Sequence, residues 1–195
     1  MVPFIGLTGG IGAGKSTALA ALERLGAAVL STDAVVHELY ASDKVRDAVL
    51  ERFGPDVAPG GVVDRSVLAT RAFATPEQRA WLEGLLWPRV GARMAAWREG
   101  LEHADPPPRA AVVEVPLLFE AGMEGAFDAT IAVLADERLR SERAAARGHE
   151  ALDERGQRQL SQAEKAERAT YVVLNDGTVD ELEHKLSSIL DKLGR

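Results

Sequence analysis

Residues 9–16 read Gly9-Gly10-Ile11-Gly12-Ala13-Gly14-Lys15-Ser16, the spacing G-x-x-x-x-G-K-[ST], and the chemistry open to this pattern is the binding of phosphate. Backbone N–H groups that curl around an anionic oxygen need φ values and close approaches that side chains obstruct. The glycines supply that freedom. Lys15 has the reach for β- and γ-phosphates, the Ser16 hydroxyl can face Mg2+, and a helix starting here aims its positive end at the same charge. The nucleotide contacts then run through Gly10, Ile11, Gly12, Ala13, Gly14, Lys15, Ser16 and Thr17. Asp33 is a second candidate, a carboxylate able to take a proton from an attacking hydroxyl or to cap a following helix. Glu114 can hold water on a metal beside the loop or pair with a basic group. Arg140, Arg143 and Arg147 recur at spacings of three and four, as a cationic clamp over phosphates or as a solvated face laced by Glu137, Glu142 and Glu150.

These groups need elements to position them. Phe4-Ile5-Gly6-Leu7-Thr8 has the length of a buried strand, and Leu19, Leu22 and Leu25 repeat at helical spacing until Gly26, giving the strand–loop–helix order that the motif requires. Ala27–Leu30 is a second strand and delivers Asp33 to its carboxyl end, where open α/β sheets do their chemistry. Ala110–Val115 is the strongest strand signal and reads as central and doubly buried. Ala129–Leu134 and Tyr171–Leu174 complete five strands, the last leading into Asn175-Asp176-Gly177, a turn at the ligand edge where a base could rest. Between Ala34 and His103 the texture is helical. Val45, Val49 and Phe53 share a face; Asp64 can cap a helix carrying Val67 and Leu68; Thr75-Pro76-Glu77-Gln78 starts another, which Pro88 breaks or restarts. Arg65, Arg71, Arg89 and Arg93 could meet an anionic substrate there. Asp136 can cap the helix of the arginine stripe, which Gly148 would close. A second polar helical segment runs from Asp153 to Arg168, and Thr178 with Glu181 opens an amphipathic closing helix.

The chain has 195 residues, 46% of them hydrophobic, with no cysteine and a formal net charge of −7. That is one substantial core with room for an inserted subdomain. Lack of cysteine removes disulfides and thiolate chemistry. The acidic balance argues against a general affinity for nucleic acid, and no apolar run approaches the ~20 residues of a membrane span. No charged leader precedes the loop, so a cytoplasmic location is expected; the sequence does not reveal the oligomeric state, with a monomer favoured.

With these residues assembled, the sequence resembles the dephospho-CoA kinase family within the P-loop nucleotide kinases. The resemblance rests on Gly6 to Ser16, Asp33, Val115-Pro116-Leu117-Leu118-Phe119-Glu120, the pairs Arg143/Arg147 and Arg158/Gln162, and Asn175. It implies an α/β P-loop three-layer sandwich with a five-stranded parallel sheet, divided into a nucleotide core (1–33, 109–136, 169–195), a helical insert for the CoA substrate (34–108) and a helical lid (137–168). It implies transfer of the ATP γ-phosphate to the ribose 3′-hydroxyl of dephospho-CoA. Asp33 would then be the general base, Lys15, Arg143 and Arg147 the charge stabilisers, Ser16 a metal ligand and Asn175 a nucleotide contact. The chain departs from the family where Ser31-Thr32-Asp33 replaces Asp-Ala-Asp, where Trp87 replaces a histidine before the proline, and where Thr170-Tyr171 precedes the last strand. The alternatives are a kinase for another small acceptor, such as a nucleoside monophosphate, and a regulatory nucleotide switch. Against the switch, no Asn-Lys-x-Asp occurs in the chain.

Overall fold

In the computed structural model, which describes residues 1–145 and 159–194, the chain divides into two units. The first comprises Met1–Ser31 and Arg98–Arg195, the second Thr32–Trp97.

The first unit is a five-stranded, wholly parallel sheet: β1 (Phe4–Gly9), β2 (Ala28–Ser31), β3 (Ala111–Glu114), β4 (Ala129–Leu134) and β5 (Tyr171–Leu174), in the spatial order β2-β3-β1-β4-β5. The strand expected at the centre, β3, lies one place off it, between β2 and β1; β1 is central. The glycines that dilute the apolar character of β1 are the reason. At Gly6 a methyl group would sit 2.5 Å from Leu118 Cδ1 and 2.9 Å from Phe127 Cδ2, so the middle strand must be bare there to let the turn after β3 close over it. Alternate residues serve the two faces. Ile5 and Leu7 pack with Val112, Ile131, Val133 and Val173 against α1 (Lys15–Arg24) and the closing helix, through Ala18, Ala21, Leu22, Leu182, Leu186 and Ile189. Phe4 stacks on Phe127 on the other side, centroids 4.8 Å apart.

The second unit contains α2 (Thr32–Ala41), α3 (Asp43–Phe53), α4 (Arg65–Ala72) and most of α5 (Pro76–Leu101). Its core gathers Tyr40, Val45, Val49, Phe53, Val57, Leu68, Leu82 and Leu86. Asp64 caps α4, accepting from the backbone N–H of Ser66 and Val67, and Gln78 N–H donates to Thr75 Oγ1 at the start of α5. Pro88 does not break α5, contrary to expectation. The helix is held by the burial of Leu82, Leu86, Val90 and Met94, while Gly84, four residues before the proline, is exposed with open space around it. The Gly84 carbonyl, which Pro88 cannot serve as a donor, can turn to water, and the neighbouring Leu85 carbonyl accepts from Arg89 NH1 at 2.6 Å. Three of the four arginines expected to greet substrate are engaged within this unit: Arg71 with the Phe53 carbonyl and Asp56, Arg89 as above, and Arg93 with Glu38 at 3.0 Å.

In the first unit, Asp136 Oδ1 accepts from Arg138 N–H at the start of α6, described over Glu137–Ala145; Gly148, expected to close that helix, lies outside the described residues. α7 (Gln162–Arg168) opens on a capping box of Ser161 and Glu164, and α8 (Val179–Leu193) on one of Thr178 and Glu181. In the first box the Ser161 hydroxyl, and after it the Ser161 backbone N–H, hold the Glu164 carboxyl below its ordinary value of 4.5. A depressed carboxyl stabilises the fold above the unfolded-state value, and the contribution is lost as pH falls through the lower folded-state value. Amide chemical shifts of α7 should therefore show fraying with a midpoint below 4.5. Glu164→Gln should remove that midpoint.

Candidate active site

β1 leads into the phosphate loop and α1 leads out of it. The chain leaves β1 toward β2 on one side of the sheet and leaves β4 toward β5 on the other, so a crevice opens between the carboxyl ends of β1 and β4. Gly12 (φ 74°) and Gly14 (φ 91°, the N-cap of α1) take the left-handed conformation, which any side chain would strain. Space forbids one as well: a methyl at Gly12 would overlap the Arg140 carbonyl oxygen, and one at Gly14 the Asn175 amide. Lys15 closes over the loop, its Nζ donating to Gly9 O at 3.1 Å and Gly10 O at 3.2 Å. Ser16 and Thr17 follow in the first turn of α1, where backbone N–H groups have no helical partner.

Residues distant in sequence brace this loop. Arg140 of α6 crosses the crevice, its Nε donating to Ile11 O at 2.9 Å and its NH1 pairing with Glu137 at 2.8 Å. Asn175, buried just beyond β5, donates Nδ2–H to Ala13 O at 2.9 Å, and its own carbonyl accepts from Arg143 NH1 at 3.1 Å. Gln162 grips Ala135, just past β4, from both sides: Oε1 accepts from its N–H at 2.9 Å and Nε2 donates to its carbonyl at 2.8 Å. Gly10, Ile11, Arg140 and Gln159 to Gln162 line a cleft beside the loop.

Of the expected site residues, the structure gathers the loop 10–17, Arg143 and Asn175, and adds Arg140, which the spacing had placed only in a stripe. Glu114 ends β3 in register with Leu7 of β1 and Ser31 of β2. Asp33 belongs to the second unit, half-buried in the first turn of α2; it is inside the helix and not its N-cap. Arg147 and Arg158 lie outside the described residues. Sequence reasoning missed Lys165, which reads as a solvated helical lysine yet is fully buried against Glu120.

Gly12→Ala should lower stability by about 1–2 kcal/mol from the left-handed backbone alone. It should also push the loop away from Arg140 and weaken ATP binding. Chemical denaturation and calorimetric titration with ATP check the two effects separately.

A parallel sheet with a phosphate loop leaving its central strand, and with arginines following the next strand onto that loop, defines a P-loop kinase. The comparisons narrow the class. The family model for dephospho-CoA kinase matches residues 3–181. The chain is 43% identical to a dephospho-CoA kinase of Deinococcus radiodurans over 97% of this chain and 91% of that one. With one from Chlorobaculum tepidum the figures are 39%, 97% and 94%. A solved Thermus thermophilus structure superposes with a TM-score of 0.79 at 34% identity, covering 98% of this chain and 97% of the other. The chain belongs to the dephospho-CoA kinase family. No helix among the described residues is long and apolar enough to cross a membrane.

Proposed function

We propose that this enzyme transfers the γ-phosphoryl group of ATP to the ribose 3′-hydroxyl of dephospho-CoA, giving coenzyme A and ADP. The observation that carries the reading is the braced phosphate loop, with Lys15 folded over its mouth, in a chain of this family. In the step, the bond between γ-phosphorus and the bridging oxygen breaks, the bond from O3′ to that phosphorus forms, and the hydroxyl proton passes to the Asp33 carboxylate. Lys15, Arg143 and Arg147 neutralise charge on the phosphoryl oxygens, and Asn175 contributes to the nucleotide site through the loop.

The Ser16 hydroxyl and the Glu114 carboxylate, hard oxygen donors at the loop and the end of the neighbouring strand, suit Mg2+. They would hold it directly or through water, and the ion would offset phosphate charge. On this reading residues 34–108 serve the acceptor and 137–168 cover the phosphates, around the core 1–33, 109–136 and 169–195. The substrates are small molecules met in the cytoplasm.

A panel of acceptors with ATP tests the reading. Release of ADP should depend on dephospho-CoA and yield coenzyme A; equal or faster turnover with nucleoside monophosphates would overturn it.

A further inference from the structure

Lys165 is fully buried on α7, and the chemistry described so far does not use it. Its Nζ pairs with Glu120 Oε1 at 2.8 Å and donates to the Pro116 carbonyl at 3.2 Å. Glu120 Oε1 also accepts from Leu160 N–H at 2.7 Å, while its Oε2 is buried and meets no donor among the described residues. A buried ion pair is a weak device for stability, because desolvating both charges offsets most of their attraction. Its position suggests a different use.

After Glu114 the ladder between β3 and β1 makes one more bond, Val115 N–H to Leu7 O at 2.8 Å. The chain then turns out of the ladder at Pro116. The Pro116 carbonyl is the next tie between the two chains, and it accepts from Thr8 Oγ1 at 3.3 Å as well as from Lys165. Thr8 is fully buried and stands one residue before Gly9, where the phosphate loop begins. One carbonyl therefore joins α7, the exit of β3 just past Glu114, and the stem of the loop.

We propose that Lys165 is a positioning residue for phosphoryl transfer. Through the Pro116 carbonyl it fixes the exit of β3 against the stem of the phosphate loop, and Glu120 supplies the counter-charge that lets an ammonium sit there. The proposal rests on the kinase reading above. A shift of about 1 Å in groups around a transferring phosphoryl can cost ~100-fold in rate, so the effect belongs in kcat and not in substrate affinity.

The test compares the parent enzyme with Lys165→Met/Glu120→Gln, which removes both charges at similar volume, and with Thr8→Val, which removes the other donor onto the same carbonyl. Thermal midpoint, kcat, and KM for ATP and dephospho-CoA are measured for each. The double variant should keep the parental midpoint within a few degrees and KM within about threefold while kcat falls about tenfold or more. Parental kcat in the folded double variant would overturn the proposal, since the pair would then be structural only. So would a raised KM with unchanged kcat. If the double variant does not fold, Thr8→Val decides: a lowered kcat at parental KM supports the proposal and parental kcat overturns it. Lack of dephospho-CoA-dependent turnover in the parent would instead overturn the kinase reading.

Discussion

Lys15→Ala should reduce kcat/KM by about 10²–10³-fold, the range for deleting one preorganised charge stabiliser from a reacting centre. Phosphoryl transfer leaves the protein little covalent work, so positioning and charge neutralisation carry the rate, and on the proposed reading Lys15 supplies both. Its ammonium already bridges the Gly9 and Gly10 carbonyls, and the deletion takes away that brace as well as the charge proposed to face the γ-phosphoryl. The side chain is half-buried, and losing its bonds to two carbonyls should cost the fold about 1 kcal/mol. Steady-state kinetics and a denaturation curve on the same preparation separate loss of catalysis from loss of fold.

Asp33→Asn should lower kcat by about 10²–10⁴-fold, the contribution of a positioned base, with little change in KM for ATP. The substitution is chosen for shape. Asp33 is half-buried in the first turn of α2, where a carboxylate also favours the positive end of the helix by about 0.3–1 kcal/mol, so a small fall in stability should accompany the kinetic loss. If dipole compensation were its whole task, stability would fall by that amount and kcat would hold. Ser31 and Thr32, which precede it, leave Asp33 the one carboxylate of this short stretch.

Elements whose pattern is local were legible in the sequence. The apolar runs at Ala129–Leu134 and Tyr171–Leu174 are strands over those same residues, and the capping signals at Asp64, Asp136 and Thr178 formed as their chemistry requires. The phosphate loop was legible because its spacing states a backbone requirement, which Gly12 and Gly14 meet with positive φ. What the sequence hid is set by partners far along the chain. The bareness of β1 at Gly6 is explained only by Leu118 and Phe127, which fill the space a side chain there would need. The continuity of α5 through Pro88 depends on a buried stripe outweighing one lost hydrogen bond. Asn175 was expected at the ligand edge, but its bond to Ala13 O, 162 residues away, has no local signal. Lys165 carries no sequence signal, because a lysine on a polar helix is ordinarily solvated.

The most direct test of the kinase assignment is the fate of the γ-phosphate of labelled ATP in the presence of dephospho-CoA. Label should appear in coenzyme A, on the ribose 3′-oxygen, in equal amount to the ADP formed. Label appearing only as inorganic phosphate, at a rate that dephospho-CoA does not change, would contradict it.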